Sequence, residues 1–290
     1  MTNSLDAMLD SMDLVDDSIP FVRAIRRGAR APDLGEAFYE GYQAALTALV
    51  SPEVRDRRAS LCVTERGGGH PRAMTCTIAI DGDHLVLDGE KSFVTGADRA
   101  ELLYVVAREA EDAGTRPSLK LVRVPSDAPE LTFHTLPATP FAPGISHARV
   151  SFVALVLPTS SLLPGDGYAE YVKPFRTVED IHVVGAIIAY LARFLGSIHG
   201  EEARVERLVA LLLSLAHLAR RPPLDPAVHR ALAGTLDLLR ASLEGIEAAL
   251  AHHPARAAAD AIVRDLALLG IAETVRRARL ESARAAFGSG

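Results

Sequence analysis

The first part of the chain carries apolar residues at the spacing of an amphipathic helix. The stretch GEAFYEGYQAALTALV repeats them three or four positions apart, at Phe38, Tyr42, Leu46 and Leu49. Ser51 and Pro52 then end the pattern, because the residue before a proline disfavours helical backbone. We therefore predict a helical region over residues 1–57.

From about residue 58 the apolar positions alternate, which is the period of a β-strand. The stretch TCTIAIDGDHLVLDG alternates on both sides of a turn at Gly82. Further alternating segments follow, separated by Pro, Gly and Asp: AELLYVVARE, SLKLVRVP, ELTFHTLP and ARVSFVALVLP. Several short strands with turn signals between them are typical of a β-sandwich or a barrel. This pattern predicts a β domain over residues 58–165.

Residues 166–290 return to a period of 3.6 and predict helices joined by short links. The helices are expected at about Ala169–Ile198, Glu201–Arg221, Asp225–His252 and Pro254–Phe287. The third has clear start signals, with an Asp225 cap and Pro226 in the first position. Short links favour an antiparallel four-helix bundle. The predicted fold class is thus α+β: a short N-terminal helical region, a central β-sandwich or barrel, and this bundle.

Composition excludes several classes of protein. The chain is 49% apolar, which is typical of a folded protein, and its net charge of −6 signals no basic face for nucleic acid. The acidic N-terminus lacks a secretion signal, and the apolar stretches are too short or too interrupted to span a bilayer. Cys62 and Cys76 are expected to be reduced core residues. We therefore expect a cytoplasmic protein that binds neither nucleic acid nor membrane.

Metal chemistry finds no support in the sequence. His252 and His253 are adjacent, so they face different directions on a helix, and no Cys/His spacing typical of a metal site accompanies them. We expect no metal.

Four segments, in this order, resemble the acyl-CoA dehydrogenase family. CVTERGGGHP is similar to its threonine–glutamate–proline, glycine-rich, serine–aspartate loop. DGDHLVLDGEKSFVTGAD is similar to its glycine turn, lysine and aromatic-x-threonine segment. ISHARVSFVALVLPTSSLLPGDGY and FRTVEDIHVVGAIIAYL resemble the strand and first bundle helix that follow. The resemblance covers about residues 58–200 well, and the remainder by pattern.

This resemblance implies an FAD cofactor. Thr64 and Thr95 would occupy flavin-facing positions and Phe93 would lie against the flavin ring. Independently of the family, a glycine run such as Gly67, Gly68 and Gly69 lets backbone N–H groups approach a flavin or its phosphates, and a strand-end hydroxyl can bond to a ring edge. Taken singly, three glycines more often form a turn, and a strand threonine is usually an ordinary strand residue. Together and in this order, the residues favour a flavin-binding scaffold.

The sequence also departs from the family pattern. Arg66 stands where the family has proline, and His70 and Pro71 replace its serine–aspartate pair, which contacts cofactor or substrate. By position, His70 and Arg176 are the expected substrate-binding residues. The N-terminal helical region is much shorter than in the family, which would leave a long acyl chain exposed.

The catalytic base has more than one candidate. Acyl-CoA dehydrogenation needs a desolvated carboxylate that removes the α-proton. In some members of the family the base directly precedes the arginine of the first bundle helix. In this sequence that position is Phe175, whose side chain cannot take a proton. The other family position follows an Arg–Asp pair and corresponds to Glu273, after Arg264 and Asp265.

The C-terminal helices can also be aligned with the family pattern in a second register. In this register the chain ends before the segment that carries the base, and we favour it because it needs no large deletion in the bundle. Glu273 would then be a surface acid, with Arg276 and Arg277 at positions i+3 and i+4. Glu179, one turn beyond Phe175, is the remaining candidate.

The resemblance therefore implies α,β-dehydrogenation of an acyl-CoA or related acyl thioester. The protein would act as a homo-oligomer, or as a hetero-oligomer with a fuller dehydrogenase subunit. The alternative is a catalytically degenerate member that serves as a binding or assembly subunit. A third hypothesis keeps the flavin for monooxygenation, for which no α-proton base is needed.

Overall fold

The computed structural model describes residues 4–50, 56–110 and 117–288. The chain divides into two compact units. A helical unit comprises Met1–Ala48, Thr139–Gly144 and Arg176–Gly290, and a β unit comprises Leu49–Ala138 and Ile145–Phe175. The division into regions 1–57, 58–165 and 166–290 stays a prediction. Among the described residues, no helix combines the length and the apolarity needed to cross a membrane.

The strands of the β unit form one curled seven-stranded sheet in the described part of the chain. They are β1 (Ala59–Cys62), β2 (Thr77–Asp81), β3 (His84–Thr95), β4 (Leu102–Glu109), β5 (Leu119–Pro125), β6 (Leu131–Thr135) and β7 (His147–Pro158). The spatial order is β1-β4-β2-β3-β7-β6, and β5 pairs with β4. Both β1 and β2 run parallel to β4, while the other pairs are antiparallel.

The alternating residues of these strands enclose the core of the β unit. One buried cluster joins side chains of several strands, among them Ile78, Leu87, Val105, Val122 and Phe152. The turn between β2 and β3 contains Gly82 at φ +57°, as the sequence predicts for a tight hairpin. Cys62 and Cys76 are free and buried, and burial raises the pKa of their thiols to about 12 and about 11, so both stay protonated core residues.

The helices are α1 (Ser4–Ser11), α2 (Pro20–Arg30), α3 (Leu34–Leu49), α4 (Lys173–Leu195), α5 (Glu202–Leu218), α6 (Pro226–Leu243), α7 (Ile246–Leu250), α8 (Arg256–Asp265) and α9 (Glu273–Gly288). Helix α4 is the most deeply buried, with an apolar run from Val183 to Ala192. Two N-terminal helices approach it closely through glycines. A Cβ on Gly28 of α2 would lie 2.6 Å from the Ala186 carbonyl oxygen, and one on Gly41 of α3 would lie 2.6 Å from the Val183 Cα.

The α+β fold class is confirmed, but two of the predicted bundle helices are interrupted. The third ends at Leu243 because Gly245 adopts φ +70°, and α7 starts after it. The fourth is split into α8 and α9 by a 3₁₀ turn over Leu266–Gly270. The leucine-rich face of α5, with Leu208, Leu212 and Leu215 buried, forms part of the core of this unit.

Candidate functional site

The glycine-rich loop after β1 folds as a tight hairpin turn. The Glu65 amide donates to the Gly68 carbonyl oxygen (3.0 Å), and the Gly68 amide donates to the Glu65 carbonyl oxygen (2.9 Å). Gly68 has φ +98°, a conformation that favours glycine. The loop is therefore a turn, as one reading of the sequence expects, and Arg66 lies exposed at its tip.

A buried ion pair anchors this turn to β3. The fully buried Lys91 ammonium donates to Glu65 Oε1 at 2.6 Å and to the Val63 carbonyl oxygen at 3.4 Å. Glu65 also accepts from the backbone N–H and the hydroxyl of Thr75. Burial alone would raise the pKa of Glu65, but the hydrogen bonds from Lys91 and Thr75 outweigh it and hold the pKa below its usual value. The lowered pKa keeps the Glu65 carboxyl ionised, and its contact with Lys91 fixes where β3 meets the loop.

The predicted flavin-facing residues lie together on the β unit, next to this ion pair. The Ser92 amide donates to the Thr64 carbonyl oxygen at 2.7 Å, which places Thr64 beside the end of β3. A register shift between Lys91 and Val94 then turns Phe93 outward at φ +57°, with 53% of its surface exposed. A left-handed backbone at a non-glycine residue costs about 1–3 kcal/mol and is concentrated at functional sites. Thr95 follows, partly exposed.

The three glycines leave room for an external group. A Cβ on Gly68 would meet nothing in the described part of the chain within 4 Å, and on Gly67 and Gly69 the nearest atoms would be 3.6 Å away. At Gly67 and Gly69, internal packing therefore does not require glycine. With the exposed Phe93 ring and two partly exposed threonines alongside, the residues present fit a flavin.

His70 and Arg176 differ in the contacts that they make. The Nδ1 atom of His70 accepts from the Arg72 amide at 3.2 Å, so this ring caps the short turn Pro71–Ala73. Arg176 lies on α4, half-exposed, with its guanidinium 3.9 Å from Glu179 Oε2. The substrate-binding roles of both residues stay predictions.

Two adjacent acids on α4 have very different partners. Asp180 is buried and held by Arg276 (2.7 Å) and Arg279 (2.5 Å) of α9. Among the described residues, the one ion pair of Glu179 is the longer contact with Arg176, and 24% of its side chain is exposed. Burial raises the pKa of Glu179 to about 7, with Asp180 adding to the rise and Arg176 opposing it. A carboxyl group of that pKa is suited to proton transfer near neutral pH.

We expect replacement of Glu179 by glutamine to stabilise the protein at alkaline pH. The pKa of Glu179 in the folded state, about 7, exceeds its ordinary value of 4.5. The contribution of this carboxyl group to the free energy of unfolding is therefore fully present below pH 4.5 and is lost as the pH rises through 7. At about 1.4 kcal/mol per pKa unit, the gain at pH 8 is at most about 3 kcal/mol. Urea denaturation at pH 4.5 and pH 8 measures it.

The matched control for this stability measurement is Glu273→Gln. Glu273 lies in the first turn of α9, 55% exposed, in an i,i+4 ion pair with Arg277 at 3.3 Å. Its replacement should change the free energy of unfolding by no more than about 0.5 kcal/mol at either pH. An equal gain in both variants at pH 8 would contradict the raised pKa at Glu179.

Asp265, the acid of the Arg–Asp pair that precedes Glu273, has a structural contact. It is buried, pairs with Arg264 at 2.7 Å, and accepts from the Ala142 amide at 2.6 Å. It thereby holds the segment Thr139–Gly144 within the helical unit. His182 is likewise buried on α4, where its Nδ1 bonds to the Val178 carbonyl oxygen at 2.7 Å.

One residue of this region has no signal in the sequence. His147, at the start of β7, stacks its ring on Phe93 with 4.2 Å between ring centroids. It pairs with Thr95 across the sheet and is buried, which lowers the pKa of its imidazole. A single histidine in an alternating strand is indistinguishable by pattern from an ordinary strand residue.

Residues 60–154, about a third of the chain, match the family described as acyl-CoA dehydrogenase, middle domain. The resemblance inferred from the sequence is confirmed. Mitochondrial isobutyryl-CoA dehydrogenase of Dictyostelium discoideum is 36% identical over 89 residues, 30% of this chain and 20% of that protein. The match thus spans about a fifth of that relative.

Solved structures extend the likeness of fold beyond the middle domain. Butyryl-CoA dehydrogenase from Megasphaera elsdenii superposes with a TM-score of 0.67 at 13% identity, covering 91% of this chain and 80% of that chain. A structure described as an FAD-dependent dehydrogenase gives 0.66 at 15% identity, covering 90% and 82%. At such identities the likeness shows the fold alone.

Proposed function

We propose that this chain is an FAD-dependent oxidoreductase of the acyl-CoA dehydrogenase type that introduces an α,β double bond into an acyl thioester. The observation that carries the proposal is Phe93, an exposed aromatic ring on a left-handed backbone, next to Thr64 and Thr95 within the family-matched domain. Left-handed backbone at a non-glycine residue is concentrated at functional sites, and the exposed Phe93 ring would give a planar ligand a surface to contact.

The residues that would hold the cofactor lie on the β unit. The hydroxyls of Thr64 and Thr95 would bond to the edge of the flavin ring, and Phe93 would lie against it. The amides of Gly67, Gly68 and Gly69 would approach without interference from Cβ atoms. When bound, a flavin supplies the acceptor for the hydride that leaves the β-carbon.

The α-proton would pass to a carboxylate oxygen of Glu179. Partial burial keeps this group basic enough to compete for a proton near neutral pH, because its pKa is about 7. Arg176 would bind the substrate, and its charge beside Glu179 favours the ionised carboxylate that acts as base. Glu273 is the less suited candidate, since it is exposed and paired with Arg277.

The substrate would be an acyl-CoA or a related acyl thioester, and the assembly a homo-oligomer or a complex with a fuller dehydrogenase subunit. The relative named as an isobutyryl-CoA dehydrogenase supports an acyl-CoA. Exposed apolar side chains on the helical unit, at Ile271, Val275 and Phe287, support assembly.

The purified protein should be yellow, or become so with FAD, and acyl-CoAs should bleach it in the absence of oxygen. Phe93→Ala should weaken FAD binding about tenfold, because aromatic contacts contribute about 0.5–1.5 kcal/mol beyond buried area. Alanine keeps the Cβ and so the backbone strain. The matched control is Val153→Ala, which removes another exposed apolar side chain of the β unit. Equal FAD affinity in both variants would contradict the placement of Phe93.

The second candidate function is a non-catalytic subunit that binds a partner dehydrogenase. It is favoured by Phe175, buried at the position where one group of relatives would carry the base. A protein that stays colourless after incubation with FAD would support this function and overturn the first.

A further inference from the structure

Helix α4 carries two consecutive acids, and α9 supplies the cations that bind the second of them. Arg276 donates to Asp180 Oδ1 through Nε at 3.0 Å and through Nη2 at 2.7 Å. Arg279 donates to Asp180 Oδ2 through Nη2 at 2.5 Å. The Asp180 carboxylate is buried, and both guanidinium groups are largely buried. Each carboxylate oxygen therefore accepts a charge-assisted hydrogen bond that salt screens only weakly.

Further partners fix the two guanidinium groups in place. Arg276 Nη1 donates to the Leu269 carbonyl oxygen at 2.5 Å. Arg279 Nη1 donates to the Thr177 hydroxyl, which lies on α4 one turn before Asp180, at 2.8 Å. Both cations thus keep their orientation towards Asp180 through contacts made on either side of it.

Glu179 directly precedes Asp180 on α4, so the same charges act on its carboxyl group. Both arginines of α9 lower the pKa of Glu179, as Arg176 does, and Asp180 raises it. Yet among the described residues the one ion pair of Glu179 is the 3.9 Å contact with Arg176. On α6, the titratable group of this network is His229, whose Nε2 lies 3.3 Å from Thr177 Oγ1.

Loss of the Asp180 charge would change the balance at Glu179 in one direction. Two cations and one anion would become two cations alone, and their attraction for the ionised form of Glu179 would no longer be offset. An opposite charge within about 4–6 Å lowers the pKa of an acid by about 1–3. A Glu179 carboxylate paired in that way would be a weaker base.

We propose that Asp180 is a positioning residue for Glu179: it holds the guanidinium groups of Arg276 and Arg279 on its own carboxylate and keeps them from forming ion pairs with Glu179. Glu179 thereby stays able to take the α-proton. The inference rests on the proposed function for the identity of that proton. The charge network itself belongs to the chain without cofactor or substrate, so it can be tested separately.

The test follows the ionisation of Glu179 in the flavin-free protein by ¹³C NMR of its side-chain carboxyl carbon, identified by its absence in Glu179→Gln. Asp180→Asn keeps the size of the side chain and removes its charge. It should move the midpoint of the titration to lower pH by about one unit. Asp180→Glu restores a carboxylate and should return the midpoint towards the wild-type value. An unchanged midpoint in Asp180→Asn, or a shift that Asp180→Glu does not reverse, would overturn the proposal.

Asp237→Asn is the matched control, because Asp237 pairs with Arg240 at 2.7 Å on the exposed face of α6. Its midpoint should equal that of the wild type, and an equal shift would overturn the proposal by showing an effect of net charge alone. If Asp180→Asn does not fold, Arg279→Gln decides. Removal of this cation should move the midpoint to higher pH, and an unchanged midpoint would show that these charges do not reach Glu179.

The rate of FAD reduction by an acyl-CoA gives a second readout. Its rise with pH should be centred about one unit lower in Asp180→Asn than in the wild type. A purely structural role of Asp180 would instead lower the rate equally at every pH, and that result would overturn the proposal. A shifted NMR midpoint in a protein whose FAD is not reduced by any acyl-CoA would support the charge network and overturn only the proposed function.

Discussion

Replacement of Lys91 by methionine is expected to lower the free energy of unfolding by about 3–5 kcal/mol. The Lys91 ammonium is fully buried, and its Nζ lies 2.6 Å from Glu65 Oε1. Methionine has similar length and packs well in a core, so lost volume does not explain the effect. The cost comes from the Glu65 carboxylate, which would stay buried with only the Thr75 and Cys76 donors. Urea denaturation at pH 7 measures it.

Two further variants separate this electrostatic cost from other effects. Combining Lys91→Met with Glu65→Gln removes the uncompensated charge, and the double variant should be more stable than the Lys91→Met single variant. Arg277→Met, which breaks the exposed pair with Glu273, should change stability by less than about 1 kcal/mol. A Lys91→Met effect as small as that of Arg277→Met would contradict the account.

The same ion pair shows what the sequence leaves undetermined. Alternation predicts β3 correctly, and the glycine turn before it is where the pattern places it. The pattern cannot reveal that Lys91 points into the core. A lysine is buried almost only when it has a partner, and the alternation of a single strand does not show that partner. Its partner Glu65 is 26 residues away in the chain, and their meeting depends on how the strands pair.

Local signals likewise predict where helices begin better than where they end. Asp225 and Pro226 start α6 as expected, with the Asp225 carboxylate accepting from the Ala227 amide at 2.8 Å. Gly245 lies within a continuous apolar period, so the spacing alone does not show that its backbone is left-handed and ends the helix.

The two candidate bases differ for a reason that is also tertiary. On the sequence, Glu179 and Glu273 are both helix glutamates near arginines. In the fold, Arg276 and Arg279 of α9 make their ion pairs with Asp180, and Glu179 has only the 3.9 Å contact with Arg176 among the described residues. The three arginines lower the pKa of Glu179 less than its burial raises it. Glu273 stays in solvent because it starts α9. Desolvation therefore distinguishes them, and spacing cannot.

Under the proposed function, Glu179→Gln should slow the reduction of bound FAD by an acyl-CoA about 10²–10⁴-fold, the usual contribution of a general base. Glutamine keeps the size of the side chain and removes only the ability to take the α-proton. Stopped-flow absorbance under anaerobic conditions measures the rate. For the wild type, the rate should rise with pH through about 7, as the Glu179 carboxyl ionises, and then level off.

Glu273→Gln is the control for catalysis as it is for stability. In this variant an acyl-CoA should reduce the bound FAD at the wild-type rate. The FAD affinity of both variants should equal that of the wild type, which separates proton transfer from cofactor binding. Loss of activity in Glu273→Gln alone would move the base to α9 and restore the register in which Arg264 and Asp265 precede it. Full activity in both variants would exclude a base from either position, because a substrate α-proton without an acceptor cannot leave at a catalysed rate.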